Sequence, residues 1–202
     1  IMSNLIGVVN YGIAGNIYSV KRAIEEAKGD VFIINHIDDF RRADKIVIPG
    51  VGSFKESMEE LKSIGFVEKI VNFQGPVLGI CLGMQILSKL GFEFGVTQGL
   101  NIIDAEVKRV ICSGKIPHMG FNRINTIESN KLLKGVEDEE FYFMHSYEVI
   151  SYKNVAALTE YCGHTFVSSV RSGNTYGVQF HPEKSRDAGI RLLSNFVNLD
   201  WR

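Results

Sequence analysis

The chain has 202 residues, 45% hydrophobic and 22% charged with only four prolines, and this near-average composition excludes the disordered and fibrous classes. Lys plus Arg 22 against Asp plus Glu 23 leaves a formal charge of -1, so no overall field draws the chain toward nucleic acid or an anionic membrane. At this length one domain over residues 1–202 is expected, with a core large enough to fold without disulfide staples.

The first half alternates apolar runs with helical periodicity. Leu5 to Val9 reads as a buried strand closed by the turn residues Asn10-Tyr11-Gly12, and Ile17, Val20, Ile24 and Ala27 then recur at helical spacing. Residues 31–34 and 45–48 read as two more strands, Met58 and Leu61 mark an amphipathic helix, and residues 77–80 read as a fourth strand before a helix over 82–90. Strands that are apolar throughout belong in a parallel sheet covered on both faces, so the expected class is α/β, a doubly wound, mainly parallel sheet flanked by helices.

After Gly91 short strands follow one another at 102–110, 121–127, 141–144, 155–161, 166–170 and 176–180, an additional antiparallel region, before a closing helix over 190–197. Residues 129–140 are rich in charge and are expected to form a solvated loop.

Cys81, Cys112 and Cys162 are odd in number and far apart, which fits neither a disulfide framework nor paired zinc ligands and points to a reducing compartment. There is no leader-like N-terminus and no apolar run near the roughly 20 residues of a membrane span, so a soluble, cytoplasmic protein is expected. Ile1, ahead of Met2, is read as an expression remnant. His36 and His164 are expected at the surface, Cys112 and Cys162 are expected to be inert, and with no histidine and carboxylate cluster at ligand spacing neither metal nor cofactor is expected.

Gly79-Ile80-Cys81-Leu82-Gly83 runs from a strand into a helix, the setting of a nucleophile elbow with cysteine in place of serine. The helix N-terminus favours a thiolate, and the N–H of Leu82 would face a developing oxyanion. Taken alone, the turn also suits a small core cysteine. His181-Pro182-Glu183 adds a base and an acceptor that fixes its tautomer, with an extended segment expected to place both on one side. Pro49-Gly50-Val51-Gly52 follows a strand at the same sheet edge and would supply further oxyanion N–H groups, although Pro-Gly after a strand is also an ordinary turn.

Gly79-Ile80-Cys81-Leu82-Gly83-Met84-Gln85 together with Val178-Gln179-Phe180-His181-Pro182-Glu183 resembles the class I (triad) glutamine amidotransferases, which have a flavodoxin-like fold. Within that class, Asn10-Tyr11-Gly12, Pro49-Gly50-Val51-Gly52, Pro117-His118-Met119-Gly120 and Met144-His145-Ser146-Tyr147 look like the glutaminase subunits of imidazole glycerol phosphate synthase, in matching order across nearly the whole chain. The resemblance implies Cys81, His181 and Glu183 as the triad and Val51, Gly52 and Leu82 as the oxyanion hole. It implies that Gly50, Gly52, Gln85, Glu93, His145, Ser146 and Tyr147 hold L-glutamine. It further implies a heterodimer with a (β/α)₈-barrel cyclase subunit that receives ammonia, with Asn10, Tyr11, Pro117, Met119, Asn122 and Lys184 near the interface. The usual Trp after Pro-His-Met-Gly is Phe121 here, which keeps the bulk and loses the indole N–H. Some similar proteins serve a cyclase-like partner in surface-sugar modification, the alternative to histidine biosynthesis. A free-standing cysteine hydrolase and an inactive scaffold are the more distant readings.

Overall fold

The computed structural model describes residues 4–12, 16–50, 52–150 and 153–201. In chain order the elements are β1 (Leu5–Val9), α1 (Ile17–Glu26), β2 (Asp30–Ile34), a 3-10 turn (Ile37–Arg42), β3 (Lys45–Ile48), α2 (Phe54–Ser63), α3 (Val67–Val71), β4 (Val77–Ile80) and α4 (Leu82–Ile86). There follow β5 (Ser88–Gly91), β6 (Thr97–Gln98), β7 (Ile103–Arg109), β8 (His118–Arg123), β9 (Asn125–Thr126), β10 (Glu140–His145) and β11 (Tyr147–Ile150). The chain closes with β12 (Val155–Tyr161), β13 (His164–Ser172), β14 (Thr175–Val178), a second 3-10 turn (Pro182–Lys184) and α5 (Arg186–Val197).

The central sheet has eight strands in the order β2-β1-β3-β4-β14-β13-β12-β9, with β2 through β14 parallel and the rest antiparallel. The strand order reverses between β1 and β3, and in such sheets the crevice beyond the carboxyl ends of the strands is the natural ligand site. Those ends are Asn10, Pro49 and Cys81. Alternate side chains of the parallel strands enter cores on opposite faces. Val47, Leu78 and Ile80 join Ile17, Val20, Leu192 and Phe196 under α1 and α5, whereas Ile46, Ile48 and Val77 join Met58 and Leu61 under α2. Two-sided burial is why these strands read as unbroken apolar runs.

Lys45 is the exception in that apolar sheet. It is 1% exposed, and its ammonium donates to the backbone carbonyls of Phe196 and Val197 at the carboxyl end of α5. A cation there meets the negative end of the helix dipole. Burial lowers its pKa to about 8, against the opposing pull of Asp200 and Asp44.

Two expectations are corrected. The helix expected over 82–90 stops at Ile86, and Ser88–Gly91 forms β5, which pairs with β7 and β6 in a four-stranded sheet of order β11-β7-β5-β6. Pairing with these strands, β6 in a hairpin and β7 beyond it, overrides the local apolar pattern. The expected solvated loop over 129–140 buries Leu132, Leu133 and Val136 in the α1/α5 core, while its charged residues face outward. α5 also begins earlier than expected, at Arg186.

Candidate active site

The elbow is built by close backbone packing. Cys81 has φ 53 and ψ -111, a conformation that costs a residue with a Cβ about 1–3 kcal/mol and must be held by its surroundings. Its N–H donates to Val178 O at 2.8 Å, which ties the elbow to β14. On the far side of the turn, a Cβ at Gly83 would lie 1.9 Å from Ile48 O, so only glycine lets α4 settle against the end of β3. Leu82 begins α4, and its N–H, in the first turn, has no acceptor within the helix.

His181 follows β14 and is held from both sides. Its N–H donates to Tyr142 O at 2.8 Å, and its carbonyl accepts from the Ser185 hydroxyl, which itself accepts from Tyr142 N. Its Nδ1 lies 2.8 Å from Glu183 Oε1, with both side chains buried. The expected extended link is instead a 3-10 turn, Pro182–Lys184, which folds the carboxylate back under the imidazole. The carboxylate only accepts, so Nδ1 carries the proton and Nε2 is left as the basic nitrogen. That Nε2 is buried without a hydrogen-bond partner among the described residues. Burial opposes the imidazolium, but Cys81 and Glu183 outweigh it and hold the His181 pKa above the ordinary range.

Both groups open on one cavity of about 410 Å³. Gly50, Gly52, Leu82, Gln85, Glu93, His145, Ser146 and Tyr147 all line it. Every one of those expected substrate contacts is therefore gathered at one place, with Glu183 behind His181; Val51 lies outside the described residues. Glu93 has a second task, since its Oε2 accepts the Phe54 N–H at 3.0 Å and caps α2 beside Ser53, whose hydroxyl accepts from Glu56 N. Gly52 has φ +99, which suits glycine alone in this loop.

Tyr11, expected near the partner face, is 4% exposed, and its hydroxyl donates to Pro49 O. It braces the oxyanion loop from beneath, and burial holds its phenol neutral. Pro117 is exposed and lines the cavity mouth, Met119 is 58% exposed, and Asn122 donates to Glu160 O. Asn10 donates to Asn35 at the surface, and the Lys184 ammonium sits 5.9 Å from the Tyr142 ring centroid. Phe121 is half-exposed beneath the Arg186 guanidinium, 4.5 Å from its ring centroid, so its face meets a cation.

His118 and His145 form a buried pair with Nδ1 and Nε2 3.1 Å apart, and His145 Nδ1 lies 2.9 Å from Tyr147 O. The carbonyl only accepts, so His145 donates to it from Nδ1, and His118 donates to His145 Nε2. Burial lowers both pKa values to about 4, so both rings are neutral. His164 is also less superficial than expected, with Nε2 2.7 Å from buried Glu148. His36 is exposed as expected.

Two lining residues escaped sequence reasoning, Phe94 and Arg109, and a third, Met144, was quoted within the motif Met144-His145-Ser146-Tyr147 without being assigned a role. Arg109, at the end of β7, carries no local signal. Among the described residues, no group of three or more His, Cys, Asp or Glu could hold a metal, and no helix is long and apolar enough to cross a membrane.

Comparison with known proteins identifies the family. The glutamine amidotransferase class-I family matches residues 8–199. Imidazole glycerol phosphate synthase subunit HisH 1 of Campylobacter jejuni strain RM1221 is 40% identical over 96% of this chain and 100% of its own length. The HisH subunit of Archaeoglobus fulgidus is 42% identical over 96% of this chain and 98% of its own. The crystal structure of a putative GMP synthase subunit from Thermoplasma acidophilum shares the fold at TM-score 0.72 and 23% identity, covering 96% of this chain and 92% of that one. The chain belongs to the class-I glutamine amidotransferase family.

Proposed function

We propose that this class-I glutamine amidotransferase is the glutaminase subunit of an imidazole glycerol phosphate synthase, hydrolysing L-glutamine to glutamate and ammonia for histidine biosynthesis. The observation that carries the reading is the convergence of strained Cys81 and the buried His181–Glu183 pair on one cavity walled by Gly50, Gly52 and Leu82. The names of its relatives favour this role over surface-sugar modification.

In this reading, the Cys81 thiolate attacks the side-chain amide carbon, and the oxyanion is met by N–H groups of Leu82 and the 50–52 loop. Protonated His181 gives its proton to the departing nitrogen, and ammonia leaves as a glutamyl thioester forms. Water, deprotonated by His181, then attacks the thioester, releasing glutamate and restoring the Cys81 thiolate beside protonated His181. Gln85, Glu93 and the 145–147 segment hold the amino-acid end of the substrate, each lining the same cavity as Cys81. The partner is a (β/α)₈-barrel cyclase, docked over the face that carries Pro117, Met119, Asn122, Lys184 and Asn10, with Tyr11 acting from beneath through the Pro49 loop. Ammonia reacts only while neutral, which gives a chemical purpose to a dry junction between the two proteins.

The test is glutamate release, followed with the cyclase and its ribulosyl phosphate ligand present, together with formation of imidazole glycerol phosphate. Glutamine should support product formation in the complex, and Cys81→Ala should abolish that while leaving added ammonium salts usable. Glutamine hydrolysis that persists in Cys81→Ala would overturn the assignment.

A further inference from the structure

Gln179 lies two residues before the base, is fully buried, and belongs to none of the roles above. Its Nε2 is 3.5 Å from Cys81 Sγ, and its Oε1 accepts from Gln85 Nε2 at 3.1 Å. Gln85 Nε2 also donates to Tyr147 O at 3.0 Å, the same carbonyl that accepts from His145. These contacts fix the direction of both amides. Tyr147 O can only accept, so Gln85 must present its NH₂ there, and the remaining N–H of that group must meet the oxygen of Gln179. The NH₂ of Gln179 is therefore turned toward the sulfur.

We infer that Gln179 is a further catalytic residue, a neutral donor held against Cys81 Sγ by Gln85 to stabilise the thiolate before attack and after each turnover. The other group on the sulfur is Met144 O, 3.8 Å away, which can accept from the thiol but offers nothing to the thiolate. Ionisation of Cys81 thus exchanges the Met144 contact for the Gln179 donor, and an N–H to an anion is stronger than one to a neutral acceptor. A neutral donor suits this place, because a second cation would compete with His181 for the same charge. The titratable groups around the sulfur are His181 with Glu183 behind it, neutral His145 and the Tyr11 phenol, with Glu93, Arg109 and Tyr147 lining the same cavity, and the Gln179 side chain hydrogen-bonds to none of them among the described residues.

The inference rests on Cys81 being the nucleophile, and the experiment separates the two. Alkylation of Cys81 by iodoacetamide is followed from pH 5 to pH 9 in the full chain, with the Cys81 peptide read by mass spectrometry against exposed Cys162. Gln179→Met keeps the length and removes the donor, so the pH midpoint of alkylation should rise by about one unit, a roughly tenfold slower reaction below the midpoint. Gln85→Met frees the Gln179 amide to turn and should move the midpoint in the same direction by less. An unchanged midpoint in folded Gln179→Met overturns the inference, and if circular dichroism shows that variant unfolded, an unchanged midpoint in Gln85→Met does so. Alkylation of Cys81 no faster than Cys162 in the unaltered chain would instead sink the nucleophile itself.

Discussion

Gly50 and Gly83 touch main chain to main chain: a Cβ on Gly50 would fall 2.3 Å from Gly83 N and 2.5 Å from Leu82 Cβ. The loop after β3 and the elbow after β4 are thereby packed as one unit, and in the proposed mechanism this contact sets the oxyanion donors of the two stretches against one another. Gly50→Ala has only backbone to displace and should cost about 2 kcal/mol or more, measured by urea unfolding. Glutamate release by the complex should fall at least about tenfold, because a misplaced oxyanion donor acts on the barrier rather than on binding. Wild-type turnover in this variant would show that the two loops are not registered to one another.

Tyr11→Phe tests the brace beneath the same loop. It removes the hydroxyl that donates to Pro49 O and leaves that carbonyl buried without its donor, at a cost of about 1–3 kcal/mol. The ring remains in the core, so the fold should persist while glutamine turnover declines. An unchanged kcat alongside the stability loss would confine Tyr11 to a packing role.

Glu183→Gln separates orientation from charge. With the carboxylate gone, the imidazolium loses one of the two groups that raise its pKa, and His181 should release its proton at lower pH than in the wild type. The alkaline limb of the pH–rate profile should therefore move down, and kcat should drop about 10²- to 10⁴-fold with little change in KM. A large rise in KM with kcat preserved would contradict this placement of Glu183.

The neutral pair His118 and His145 gives stability a predictable pH dependence. Their folded pKa values, about 4, lie below the ordinary 6.5, so the unfolded chain binds more protons in that window. Their contribution is complete above pH 6.5 and is lost as the pH falls toward 4, with a limiting slope of about 1.4 kcal/mol per pH unit for each ring. His118→Phe preserves the stacking on Phe143 and Tyr161 and should remove one ring's share of that slope, as read by denaturant unfolding at a series of pH values. An identical slope would mean that His118 takes up its proton as readily in the folded chain as in the unfolded one.

The elbow could be read from the sequence because its chemistry and its sterics are both local. Gly79, Cys81 and Gly83 stand close together, and a strand and a helix flank them. The parallel strands were equally plain, since burial on two faces leaves no polar alternation in Ile46-Val47-Ile48. Where the reading failed, a distant partner decided. Ser88–Gly91 is a strand because β6 and β7 flank it, and Leu132 and Leu133 are buried in the core that α1 and α5 cover. That Tyr11 braces the loop after β3 was not legible either, as its hydroxyl acceptor lies 38 residues away. Gln179 stood within a quoted motif, yet its role depends on how two amides are turned, and that is fixed by a carbonyl on β11.

The position of β14 also governs when reactivity appears. β14 inserts between β4 and β13, and the Cys81 N–H is held by Val178 at its end. During synthesis the cysteine therefore emerges long before the strand that strains it and the histidine that activates it. Lys45 likewise awaits carbonyls 151 and 152 residues further on. Until the last strand and helix close the sheet, Cys81 lacks both the Val178 carbonyl that holds the elbow and the histidine beside it, so the elbow is completed last.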